Sequence, residues 1–218
     1  MNINNLTEIG FKLAIMYVPF LFALCFHEFA HGYVAKMKGD NTAQLMGRLT
    51  LNPLAHMDFI GTFLLPVFAI VTGIPYFFGW AKPVPVNPRN LSNEKNDMFW
   101  IALAGPLSNV FLAVVAVGIM FLFKGADVET RSMVNNFMSF FFVINLFLAV
   151  FNMLPLHPLD GGKVIARFLP YKTNRWLEEN SQVLNFALII LILSGGFRII
   201  SGPVLGFSYK VFALVGAA

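Results

Sequence analysis

Five long stretches with almost no charge constrain this chain more than anything else in it. The first runs from about Phe11 to Ala35 with Glu28 in its interior; Phe59–Ala81, Met98–Phe123, Ser132–Leu159 and about Gln182–Ile200 follow. At 1.5 Å per residue a helix of about 20 residues crosses the roughly 30 Å hydrocarbon layer of a bilayer. Of the 218 residues, 57% are hydrophobic and 12% charged, where soluble domains carry about 45–50% and about 25%. With only 15 Lys and Arg and 11 Asp and Glu, a water-facing shell is out of reach unless lipid covers much of the surface. Backbone in lipid must satisfy its own hydrogen bonds, so the expected fold is an all-α polytopic membrane protein with about five to six hydrophobic segments. Cys25 is the single cysteine, which excludes an internal disulfide. The net charge is +4, but the basic residues are scattered singly, so no nucleic-acid partner is expected.

The chain reads as one membrane-embedded domain over 1–218: a helix at 11–37, a loop or re-entrant region at 40–97, spans at 98–124, 133–159 and 182–201, and a tail at 202–218 that either spans or lies at the interface. The first apolar run has no small-residue cleavage site after it and holds two histidines and a glutamate, so it is expected to stay in the mature protein. Gln44–Thr50 with Asn52-Pro53 reads either as a short strand and turn or as an ordinary loop. The stretch from Gly79 to Pro88 holds too many prolines for a helix.

His27-Glu28-Phe29-Ala30-His31 carries the strongest chemical signal. On a helix, positions i and i+4 lie about 40° apart, so both imidazoles can share one metal ion while Glu28 sits beside it. Ionisable groups inside a span are costly and mark function by default. Zinc lowers the pKa of a bound water to about 7 and polarises a carbonyl, and a neighbouring carboxylate can carry the proton. A catalytic zinc site needs a third protein ligand. His56 and His157 are the remaining histidines, and Asp160 is the most distinctive carboxylate, closing the fourth apolar segment in Asn152-Met153-Leu154-Pro155-Leu156-His157-Pro158-Leu159-Asp160-Gly161-Gly162. Prolines and glycines can open the helix there and turn Asp160 inward.

With Gly105-Pro106-Leu107-Ser108-Asn109 between them, these motifs resemble the site-2 protease family of intramembrane zinc metalloproteases, in order, over roughly Phe11–Arg167. The resemblance implies a Zn2+ cofactor held by His27, His31 and Asp160, with Glu28 as general base. It implies a place for Asn152 near the substrate backbone and matches Asn109 to a Gly-Pro-x-x-Asn element. His157 stands where many members have proline, either as a turn residue or as a partner behind the ligands. No stretch resembles the accessory PDZ or CBS domains of other members, so a minimal form is expected. The family's membrane-dipping β element, whose edge can pair with an unwound substrate, implies a β-hairpin in the re-entrant region, at Gln44–Thr50, Val84–Val86 or both.

Topology gives a separate test. If the first and fourth segments both bring ligands at their C-terminal ends, an odd number of crossings separates them. Phe59–Ala81, interrupted by Gly61, Pro66, Gly73, Pro75 and Gly79, is then the one that re-enters. Ten basic residues (Lys36, Lys38, Arg48, Lys82, Arg89, Lys95, Lys163, Arg167, Lys172, Arg175) then face five (Lys12, Lys124, Arg131, Arg198, Lys210). The positive-inside bias puts the ligands nearer the cytoplasmic face of the cell membrane. The expected activity is hydrolysis of peptide bonds in or near a transmembrane segment of a substrate protein. The rival reading is a metal-ion transporter or sensor that uses the same three ligands.

Overall fold

The computed structural model describes residues 3–73 and 79–217, and all described regular structure is helical. Helix α1 (Ile3–Lys12) continues through a π-helical turn at Leu13–Tyr17 into α2 (Val18–Met37). Pro19 lies inside this continuous helix, and the wider turn before it absorbs the ring and its missing amide hydrogen. After a short α3 (Thr42–Leu45), a second π turn at Phe59–Leu64 leads into α4 (Leu65–Thr72). Two long helices follow, α5 (Glu94–Leu122) and α6 (Val128–Asn152), then short α7 (Asp160–Ala166), α8 (Tyr171–Glu179), α9 (Ser181–Leu191) and finally α10 (Phe197–Val215).

Among the described residues, four helices are long and apolar enough to cross a membrane: Thr7–Met37, Glu94–Gly125, Val128–Asn152 and Arg198–Val215. This is an integral membrane protein. Side-chain caps set where the inner two begin. Asn93 Oδ1 accepts from the Asn96 amide while Asp97 Oδ2 accepts from the Asn93 amide, and Asp127 Oδ1 accepts from the Thr130 amide. The core lies where α2, α5 and α6 meet. Phe20, Ala23 and Leu24 pack on Ile144 and Leu148, while Leu112, Ala113, Ala116 and Met120 pack on Phe141, Phe142 and Phe212. Small residues on α2 and α5 let the helices approach closely.

Three expectations need correction. The apolar stretch 182–201 is not one helix: Gly195, at φ 92°, breaks it, and the helix long and apolar enough to cross is α10, built mainly from the tail. The fourth segment stops being helical at Asn152, and Asp160 opens a separate helix. No strand forms among the described residues. Gln44–Thr50 is the end of α3 and a tight turn, with Gly47 at φ 66° and the Arg48 amide bonded back to the Ala43 carbonyl.

The stretch from Gly79 to Asn87 forms neither helix nor strand, and most of its amides are committed or missing. Those of Trp80, Lys82 and Val84 donate to the Gly61 carbonyl, the His56 carbonyl and Glu28 Oε2, and Pro83 and Pro85 have none. A ladder therefore has few donors to grow from. Thr62 Oγ1 also donates to the Trp80 carbonyl, so the chain returns at Trp80 to the start of the Phe59–Thr72 helix. Pro75 and the rest of 74–78, part of the expected re-entrant region, lie outside the described residues.

Candidate metal centre

His27 and His31 sit one turn apart on α2, and both are buried. Each ring is held from behind. His27 Nδ1 donates to Asn109 Oδ1 at 2.6 Å and His31 Nδ1 donates to the Ile101 carbonyl at 2.6 Å, both partners being on α5. With the hydrogens at Nδ1, both Nε2 lone pairs turn the same way, 3.0 Å apart. α5 can come this close because residue 105 has no side chain: a Cβ there would fall on His31 Nε2 and 2.6 Å from His27 Cε1.

Asp160 arrives from the other side. The α6 helix ends at Asn152, the chain turns through Met153–Leu159, and α7 begins with the aspartate in its first turn, where the helix dipole favours an anion. Gly161 packs against the Met153 and Leu154 carbonyls and Gly162 against His157 and Leu156, positions at which a Cβ would collide. Asp160 Oδ2 thereby lies 3.0 Å from His27 Nε2 and 3.1 Å from His31 Nε2. Burial would raise the Asp160 carboxyl, but positive charge on the side of His31 and His27 outweighs it and holds the group below the usual carboxylate range.

The donor set fits a metal. Two imidazole nitrogens and a carboxylate oxygen, all acceptors in this arrangement, converge within 4.8 Å of one another, and only protons or a cation between them can offset their repulsion. Donors about 2.0–2.2 Å from a tetrahedral zinc lie about 3.3–3.6 Å apart, so the three need to part by only a few tenths of an ångström. Three protein ligands leave a fourth position open.

Glu28, next in sequence to His27 and half-buried, accepts from the Val84 amide at 2.7 Å. That bond ties the Gly79–Asn87 segment to the site. Asp40 fixes the segment further on: it is fully buried and accepts from the Asn87 amide, Asn90 Nδ2, and the Thr42 amide and hydroxyl.

The remaining candidates stand apart from the three donors. Asn109 is behind His27. Asn152 Nδ2 donates to the Leu148 carbonyl of its own helix. His157 Nδ1 is buried without a partner, and burial lowers the pKa of that imidazole. His56 is also apart, its Nε2 donating to the Thr50 carbonyl. Sequence reasoning missed Asn145, which is fully buried and bonded to Asn109. Its signal was available, since it is a polar side chain inside a charge-free stretch.

Comparisons with known proteins give the family. The family model described as Peptidase family M50 matches residues 15–131 and 126–195. A Bacillus subtilis protein named "Putative zinc metalloprotease YwhC" is 38% identical over 70% of this chain and 68% of its own length. Rip2 of Mycolicibacterium smegmatis, named in the same terms, is 28% identical over 88% of this chain and 70% of its own. A Methanocaldococcus jannaschii relative, again so named, is 38% identical over 64% of this chain and 63% of its own. No solved structure gives a significant match. The chain belongs to Peptidase family M50, the site-2 protease family.

Proposed function

We propose that this protein is an intramembrane zinc metalloprotease that hydrolyses peptide bonds in or near transmembrane segments of other proteins. The observation that carries this reading is the convergence of His27 Nε2, His31 Nε2 and Asp160 Oδ2, from two separate helices, beside a glutamate. A zinc ion held by these three residues would polarise the scissile carbonyl and acidify a water molecule. Glu28 takes the proton of the attacking water on its carboxylate and returns it to the leaving amine nitrogen, so its charge is restored at each turnover. The Val84 amide on Oε2 holds that carboxylate in place and leaves Oε1 for the proton. Asn109 and the Ile101 carbonyl keep both ligand rings aimed at the ion.

The sidedness argument strengthens with α10 as the last crossing. Gly216 and Ala217, just past its end, line a cleft with Arg131 and Ser132, so Arg198 joins the ligand end of the bundle. The basic residues then divide eleven to four, with only Lys12, Lys124, Arg131 and Lys210 at the far end. We assign the ligand end to the cytoplasmic face of the cell membrane. Ion transport is the weaker reading: it calls for a series of ligand clusters along a path, and one group of three stands out among the described residues.

The test is purified protein in lipid nanodiscs with a transmembrane substrate. Glu28→Gln should keep stoichiometric zinc and lose turnover, and a chelator should abolish wild-type cleavage until zinc is returned. Cleavage by Glu28→Gln at the wild-type rate would sink the assignment of the base.

A further inference from the structure

Asn145 is fully buried on α6, and its described bonds go to Phe141 and Asn109 rather than to any candidate ligand. It is nevertheless the far end of a chain of hydrogen bonds that finishes on His27. Asn145 Nδ2 donates to the Phe141 carbonyl at 2.8 Å, one turn back on its own helix, which leaves Oδ1 to face α5. There it accepts from Asn109 Nδ2 at 2.9 Å. The same Nδ2 donates to the Ala23 carbonyl at 3.2 Å, so both amide hydrogens of Asn109 are used and its Oδ1 must point at His27 Nδ1, 2.6 Å away.

A carboxamide has two orientations of nearly equal shape, and a neutral imidazole has two tautomers. Each ambiguity here is resolved by the group before it. The Phe141 carbonyl only accepts, which orients Asn145; Asn145 and Ala23 orient Asn109; and Asn109 leaves His27 no choice but to carry its hydrogen at Nδ1 and its lone pair at Nε2. Two buried carboxamides are each costly if left unbonded, and apolar side chains of similar volume would fill the same space without that risk. Packing alone does not call for them.

We propose that Asn145 is a positioning residue which, acting through Asn109, fixes the tautomer and aim of His27 toward the metal. The proposal rests on the metal-centre reading above and deepens it. Partners that hold the outer nitrogen of a ligand histidine are worth about 10–100-fold in metal affinity. Asn145→Leu keeps the volume but removes the acceptor, so one hydrogen of Asn109 is orphaned and its amide can turn over. Asn145→Asp keeps the shape, and as a neutral acid in this apolar setting it can accept from Asn109 and donate to the Phe141 carbonyl.

The experiment is zinc titration of metal-free protein in nanodiscs against a competing chelator, with the absorption spectrum of the cobalt-loaded form as second readout. Asn145→Leu should bind Zn2+ about tenfold more weakly and shift the Co2+ bands, while Asn145→Asp should recover most of the affinity. Nitrogen NMR of zinc-loaded wild type, with labelled histidine, should show the metal on Nε2 of His27 and a hydrogen on Nδ1, a check that needs no variant to fold. Wild-type affinity and spectrum in Asn145→Leu, or zinc on Nδ1 of His27, overturns the relay. A wild-type protein that binds no zinc overturns the metal centre itself.

Discussion

Two residues away from the ligands test the site most directly. Gly105 has no room for a methyl group, because the imidazoles of His31 and His27 occupy that space. Gly105→Ala should cost about 1–3 kcal/mol through overpacking and should weaken zinc binding as the rings are pushed aside. Thermal unfolding with and without zinc checks it, since a shift equal in both conditions would mean that the rings had not moved. Asp40 gives a pH prediction. Burial opposes its ionisation, but the hydrogen bonds from Thr42, Asn87 and Asn90 outweigh that and hold its pKa below the ordinary value. A carboxylate depressed in the folded state stabilises the protein fully above its unfolded pKa of about 3.9, and that contribution is lost as pH falls toward the folded value. Asp40→Asn should therefore be less stable by about 1–3 kcal/mol at neutral pH, with the gap to wild type closing as the pH drops below about 4. Parallel acid-unfolding curves for the two proteins would refute this.

Among the elements, legibility followed the density of chemical signal. The helix carrying His27, Glu28 and His31 could be read because an i, i+4 pair of histidines is costly to bury in an apolar run unless one ion binds both rings. Asp160 could be read from the prolines and glycines around it, although sequence alone did not show that the helix ends at Asn152 and a new one starts at the aspartate. The last segment was misdivided because apolarity alone does not show where a helix bends. Ser194-Gly195-Gly196 breaks 182–201, and Gly195 takes a positive φ that a side chain resists. Gly195→Ala should lower stability by about 1–2 kcal/mol, read as a lower unfolding temperature, because alanine incurs the left-handed penalty. The expected strand failed for a different reason: Pro83 and Pro85 have no amide hydrogen, and neighbouring amides are already tied to Gly61, His56 and Glu28. Hydrophobic patterning carries none of that information.

Across the whole molecule, the ordering of the helix ends makes a sidedness prediction. The one cysteine, Cys25, is buried, so single cysteines introduced at exposed positions report against a quiet background. Lys172→Cys and Arg89→Cys should react with a membrane-impermeant maleimide only in inverted vesicles, and Lys124→Cys only in right-side-out ones; labelling of Lys172→Cys and Lys124→Cys from one side would break the topology. The segment beside Glu28 bears on what such a molecule can admit. Between Trp80 and Val86, two residues are prolines, three amides donate into the protein, and the carbonyls of Trp80, Lys82 and Pro83 accept from Thr62 and Arg48, so the carbonyls of Ala81, Val84, Pro85 and Val86 outnumber the two amides, of Ala81 and Val86, that the strip has left. A polypeptide sliding past would cling there mainly through hydrogens of its own, which a freshly uncoiled stretch has in plenty and a run of imino acids lacks. Guests rich in proline near the scissile bond should slip by uncut.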